Sequence, residues 1–170
     1  MNKMSLPLLM LLSIPLIAAA DGSAPRTQDA AAVLATRLFD LEEQPHQLAE
    51  WNGQPVLVNY WATWCAPCLK EIPELEAFSV AQQKRKGGIR VVGVALDEPD
   101  AVRSFVKRGR VSYTVLVEHA EPDASTSVAL GNKHGALPFS VLLDAQGRVL
   151  GSKSGAVTAA DLAAWASIKP

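Results

Sequence analysis

The chain has 170 residues, of which 49% are hydrophobic and 19% charged, and its formal net charge is −1. That length suits one domain with a proper core. The near-neutral balance supplies neither a basic field nor an acidic tail, so nucleic-acid binding has no support.

Residues 1–20 differ in kind from the remainder. Lys3 gives a short positive start, Ser5 to Ile17 is almost wholly apolar, and Ala18-Ala19-Ala20 has the small side chains that signal peptidase accepts. The sequence predicts a signal peptide over 1–20 and an exported protein, with the bacterial periplasm as the expected compartment. An uncleaved membrane anchor is the competing reading. Against it, the apolar run is shorter than the roughly 20 residues that span a bilayer, and it contains Pro7 and Pro15. Residues 21–32 are small and polar, which predicts a flexible lead-in, and the domain is expected over 33–170.

Apolar residues return from Val33 to Leu41, and Glu42-Glu43-Gln44-Pro45 then signals a turn. His46 to Trp51 is read as a short helical turn that stops at Asn52-Gly53. Together these form a section added before the main sheet. Pro55 to Trp61 has no polar face and predicts a buried central strand, with Asn59 as a buried amide that must find hydrogen-bond partners. From Ala66 to about Arg85, the spacing of Cys68, Leu69, Ile72, Leu75 and Phe78 predicts a helix. Pro73 lies inside it, where it removes a hydrogen bond to the Leu69 carbonyl and should kink the axis.

Ile89 to Leu96 predicts a second buried strand, and Asp97-Glu98-Pro99 caps a helix carrying Val102, Phe105 and Val106. Thr114 to Val117 follows as a strand and Asp123 to Leu130 as a short helix stopped by Gly131-Asn132. Phe139 to Leu143 and Arg148 to Lys153 read as a hairpin around Asp144-Ala145-Gln146-Gly147. Thr158 to Ile168 closes the chain as a helix with Leu162 and Trp165 inward. The β-α-β order places Cys65 and Cys68 at the carboxyl end of its first strand, where open α/β sheets carry function.

Cys65 and Cys68 are the only cysteines. A bridge across three residues closes too small a loop to stabilise much, so this pair reads as a reactant rather than a staple. The attacking species in disulfide exchange is a thiolate. Cys65 sits at the helix start, where free N–H groups and the positive end of the dipole favour negative charge, so it is the expected nucleophile. Cys68, one turn on and more buried, is the expected resolving thiol. Pro67 fits the first helical turn and fixes geometry. Trp64 either shields the nucleophile and offers partners an apolar contact or packs in the core. Glu71, three residues after Cys68, lies on the adjacent helix surface, where its carboxylate is placed to accept a proton from Cys68; the plainer reading is a solvated glutamate beside Lys70.

A closed zinc site would need two further ligands from His46, His119 and His134, none of them in paired spacing, and c-type haem attachment needs a histidine where Leu69 stands. A peroxidase fits poorly, because Val58 and Ala62 occupy the places of its proline and hydroxyl residue. Two thiolates suit copper(I), so a copper(I) chaperone module stays as an alternative.

The run Asn59-Tyr60-Trp61-Ala62-Thr63-Trp64-Cys65-Ala66-Pro67-Cys68, followed by Glu71-Ile72-Pro73, resembles the TlpA/ResA-like branch of the thioredoxin superfamily. The resemblance implies an α/β thioredoxin-like fold, a central mixed sheet flanked by helices with an N-terminal extension. It also implies thiol–disulfide exchange with protein substrates through Cys65 and Cys68, with no cofactor. It places a cis-proline loop at Leu137-Pro138 opposite the cysteines, Asn59 where cytoplasmic thioredoxins bury an aspartate, and Glu71 at the acidic position near the thiols. Phe139 departs from the family, which often has threonine there. The expected partners are protein thiols and disulfides and a membrane electron donor, the chain acting as a monomeric reductant; a disulfide-donating oxidase is the second enzymatic reading.

Overall fold

The computed structural model describes residues 32–109, 111–119 and 125–168. The expected signal peptide over 1–20 and the lead-in as far as residue 31 lie outside the described residues. Among the described residues seven strands form one sheet: β1 (Leu38–Phe39), β2 (Pro45–His46), β3 (Val56–Trp61), β4 (Arg90–Ala95), β5 (Thr114–Val117), β6 (Phe139–Leu143) and β7 (Val149–Ser154). Their order across the sheet is β2-β1-β5-β4-β3-β6-β7. The pairs β3/β4 and β4/β5 are parallel, whereas β6, β7, β1 and β2 join antiparallel. This is the mixed sheet of a thioredoxin-like fold, with β3 in its interior between β4 and β6.

The helices are α1 (Ala66–Gln83), α2 (Pro99–Val106), α3 (Thr126–Ala129) and α4 (Ala159–Ala166), with a 3-10 turn over Leu48–Trp51. Every residue of β3 is buried, and alternation divides them between two cores. Leu57 and Trp61 face Ile72 and Leu75 of α1, Phe105 of α2 and Leu162 of α4. Val56, Val58 and Tyr60 face Leu34, Leu38, Leu48 and Leu130. Helices thus cover one face, and the N-terminal section with the α3 region covers the other.

Pro73 stands inside α1 without ending it. An interior proline costs a helix about 3 kcal/mol. Burying neighbours such as Ile72 and Leu75 contributes about 1.5–3 kcal/mol each, so packing on the sheet holds the helix together. Helix α4 starts on a capping box, in which Thr158 and Asp161 satisfy each other's backbone N–H groups.

The N-terminal section differs from its sequence reading. His46, expected in a helical turn, lies in β2 and pairs with Leu38 of β1. The loop between them is closed by the Asp40 carboxylate, which accepts N–H bonds from Glu42 at 2.9 Å and Gln44 at 2.8 Å. Glu43 takes a left-handed φ of 62°. Strands of two residues show no alternation, so side-chain periodicity could not reveal them. The section is pinned to the sheet by Leu34, which lies over the β6–β7 turn. A Cβ on Gly147, whose φ is +77°, would come within 2.2 Å of Leu34 Cδ1. Among the described residues no helix is long and apolar enough to cross a membrane.

Candidate active site

Strand β3 delivers the chain to a tight turn beyond its carboxyl end. There the Asp97 carboxylate, just beyond β4, accepts the Thr63 N–H at 2.7 Å and the Thr63 hydroxyl at 2.5 Å. This tie fixes the turn that leads into α1. Sequence reading assigned Asp97 to the start of α2 and gave Thr63 no role; two polar residues 34 apart offer no local signal of their contact.

Cys65 is the N-cap of α1, and its Sγ accepts the N–H of Cys68 at 3.3 Å. Pro67 falls within the first two helical positions, where its missing N–H leaves no acceptor unsatisfied. Cys65 and Cys68 form a disulfide, with Cα atoms 5.3 Å apart. Cys68 is fully enclosed, and Cys65 retains slight exposure. Trp64 is 69% exposed, the most exposed large apolar side chain among the described residues. The indole is therefore not core packing.

Glu71 is 2% exposed, so it is not the solvated glutamate of the plainer reading. Its Oε1 accepts Nδ2–H of Asn59 at 2.8 Å and its Oε2 accepts the N–H of Val157 at 2.6 Å. Burial pushes the Glu71 carboxyl above its ordinary range, while the bonds from Val157 and Asn59 and the charge of Lys153 oppose the rise. Asn59 also donates to Ser140 Oγ at 2.9 Å. Ser140 is the register partner of Asn59 on β6. Sequence reading missed both Ser140 and Val157. Ser140 did carry a signal, as a polar residue in the middle of the apolar run Phe139 to Leu143, the same anomaly that marked Asn59.

The Leu137–Pro138 peptide bond is cis, as the resemblance implied. Phe139, the departure from the family pattern, is buried and its ring lies 6.2 Å from that of Tyr60. The side chain is therefore part of the core. A groove of about 560 Å³ runs between Trp64, Asp97, Glu98, His119, Gly135 and Leu137. It joins the start of α1 to the cis-proline loop, and its walls combine apolar surface with carboxylates. Among the described residues no group of three or more His, Cys, Asp or Glu side chains is arranged to hold a metal ion; His46 instead bonds Asp40 and Glu50.

A family model described as Redoxin matches residues 20–164. The thiol-disulfide oxidoreductase ResA of Geobacillus thermodenitrificans is 31% identical over 135 residues, which cover 78% of this chain and 74% of that protein. Among solved structures, a thioredoxin-related protein from Neisseria meningitidis serogroup B is 31% identical with a TM-score of 0.67, covering 76% of this chain and 95% of that one. A secreted thiol-disulfide isomerase from Corynebacterium glutamicum is 26% identical with a TM-score of 0.66, covering 77% and 80%. The resemblance to ResA-like proteins read from the motif holds over most of the domain.

Proposed function

Since the chain belongs to the redoxin family and is a protein thiol–disulfide oxidoreductase, we propose that it acts outside the cytoplasm as a reductant of specific protein disulfides, with Cys65 attacking and Cys68 resolving. The observation that carries the roles is the asymmetry of the pair. Cys65 caps a helix, receives the Cys68 N–H at its sulfur and keeps some exposure; Cys68 is enclosed. An anionic sulfur at position 65 accepts that bond and meets the positive end of α1.

In the reductive direction the Cys65 thiolate attacks one sulfur of a partner's disulfide, and the partner's other sulfur leaves as a thiolate. Cys68 loses its proton and attacks Cys65, which closes the 65–68 disulfide and frees the partner's second thiol. Two electrons have then passed to the partner. Glu71, held between Asn59 and Val157, is the proton acceptor for Cys68. Leu137 and Trp64 line the groove, and with the adjoining Pro138 backbone they form the walls against which an extended partner segment lies. Because an exported compartment is kept oxidising, the pair must be returned to its dithiol by a membrane electron donor. Export is supported by the apolar leader over 1–20 and its small-residue end.

The test combines two measurements. Equilibration with glutathione should give a reduction potential nearer the about −270 mV of thioredoxin than the about −120 mV of a strong oxidant. A Cys68→Ser protein should accumulate partners as mixed disulfides through Cys65, and a Cys65→Ser protein should not. A potential close to the oxidant's value would overturn the reductive direction, and trapping by Cys65→Ser alone would reverse the two roles.

A further inference from the structure

The side of the groove opposite Trp64, formed by Gly135 and Leu137, belongs to a stretch without regular structure. Downstream of it the sheet provides the hold: Phe139 pairs with Tyr60 on β3 and Ser154 on β7, and the Pro138 carbonyl accepts the N–H of Gly155 at 2.9 Å. Upstream, the chain from Gly131 to Leu137 turns through left-handed φ values at Gly131 and Gly135. Its main-chain bonds run from Gly131 N–H to the Val128 carbonyl at 3.0 Å, from Asn132 N–H to the Ser127 carbonyl at 2.9 Å, from Lys133 N–H to the Gly131 carbonyl at 2.9 Å and from Gly135 N–H to the Asn132 carbonyl at 3.0 Å. Ala136, next to the cis-proline dipeptide, takes both of its bonds from one side chain.

That side chain is Asn132, which is 2% exposed. Its Nδ2 donates to the Ala136 carbonyl at 2.9 Å and its Oδ1 accepts the Ala136 N–H at 3.1 Å. Nδ2 also reaches Ser127 Oγ at 3.3 Å. A carboxamide offers a donor and an acceptor side by side, which matches the two peptide groups of one residue; a carboxylate only accepts.

The clamp is anchored in turn. Ser125 Oγ accepts the Ser127 N–H at 3.1 Å. The buried Glu118 carboxylate, just past β5, accepts the Thr126 N–H at 2.7 Å and the hydroxyls of Ser125 and Thr126 at 3.0 Å each. Tyr60 Oη lies 2.9 Å from Thr126 Oγ1. Tyr60 belongs to β3, the strand that delivers the cysteines, so both sides of the site take their position from one element.

We propose that Asn132 is a positioning residue for disulfide exchange: its carboxamide fixes Ala136 and thereby sets where the Leu137–Pro138 backbone meets a partner chain lying across Cys65. This rests on the reading of that loop as a docking wall for extended protein substrates.

The test uses the reduced Cys68→Ser protein and an eight-residue peptide whose single cysteine is capped as a thionitrobenzoate disulfide. The Cys65 thiolate attacks the peptide sulfur, the mixed disulfide forms, and thionitrobenzoate leaves and is read by its absorbance; one disulfide replaces another with no net oxidation. The same cap on cysteine amide alone reports reactivity without a peptide backbone. The unsubstituted loop should react faster with the peptide than with cysteine amide. Asn132→Ala should raise the peptide concentration at half-maximal rate about tenfold while the limiting rate changes far less, in line with lost buried hydrogen bonds. Asn132→Asp keeps the shape and the acceptor but loses the donors, and should show the same displacement; it carries the test where Asn132→Ala folds poorly. Amide exchange at Ala136 should be at least about tenfold faster in Asn132→Ala.

Pro138→Ala separates the two layers. Should it keep the full peptide advantage, the docking wall itself is wrong. Should Pro138→Ala lose that advantage while both Asn132 variants keep the normal half-saturation, or should Ala136 stay fully protected in Asn132→Ala, the role of Asn132 is overturned.

Discussion

Replacing Asn59 by aspartate tests the buried pair beneath the thiols most directly. Asn59 Nδ2 lies 2.8 Å from Glu71 Oε1, so Asn59→Asp sets two carboxylate oxygens at that separation with no water between them. With an effective dielectric of about 20, two unit charges about 3 Å apart repel by about 5–6 kcal/mol. Keeping one carboxyl protonated is less costly. At pH 7 it requires about 1.4 kcal/mol for each unit above an ordinary aspartate pKa near 4, or about 4 kcal/mol. The pair should therefore share a proton, and the variant should be about 4 kcal/mol less stable than the wild type at pH 7. The sign follows from proton counts. The folded state holds this proton more tightly than the unfolded chain, so the penalty is absent below pH of about 4 and grows by about 1.4 kcal/mol per unit as pH rises towards the raised value. Denaturant unfolding of wild type, Asn59→Asp and Asn59→Asp/Glu71→Gln from pH 4 to 8 measures it. The double variant should lose the pH slope. A stability difference that is flat in pH, or one that Glu71→Gln leaves untouched, would refute the shared-proton reasoning.

Two further outcomes are expected from the same geometry. Glu71→Gln should remove a step from the pH dependence of Cys68 attack, read as closure of a preformed mixed disulfide. The wild-type rate should rise as pH passes through the raised Glu71 value, above the ordinary 4.5, and the variant should lack that rise. The same substitution should abolish a loss of wild-type stability over that interval, because a carboxyl with a raised native pKa stabilises the fold below its unfolded value and ceases to do so as it ionises. Trp64→Ala removes a side chain that is 69% exposed, so unfolding stability should change by no more than about 0.5 kcal/mol. Exchange with the capped peptide should nonetheless slow several-fold, and an unchanged peptide rate would exclude the indole from the docking wall.

The elements that sequence reading placed well are those whose signal is continuous. The strand over Pro55 to Trp61 and the helix from Ala66 announce themselves through apolar runs and three- and four-residue spacing, and the structure sets them at Val56–Trp61 and Ala66–Gln83. The N-terminal hairpin had no such signal. Its strands are two residues long, and its loop is closed by the Asp40 side chain rather than by a glycine-rich turn. Nothing local encodes the order of the sheet either. Residue patterns supplied a β-α-β unit and a hairpin, but only the resemblance to a known family joined them into one sheet.

The site divides along the same line. Cys65, Pro67, Cys68 and Glu71 lie within seven residues of one another, so helical spacing alone brings them together. Their supports come from far along the chain: Ser140 is 81 residues from Asn59, and Val157 is 86 from Glu71. Asn132 shows why such supports escape notice. After Gly131 its position read as a helix stop, and an asparagine there is accounted for by backbone preference alone. The folded chain gives its carboxamide a second task, bonding both peptide groups of Ala136. A residue that satisfies a local rule conceals any tertiary duty it also has, whereas one that breaks a local rule, as Asn59 does in an apolar strand, exposes it. Buried polar side chains at ordinary turn positions are therefore where this fold holds the parts of its site that sequence patterns do not reveal.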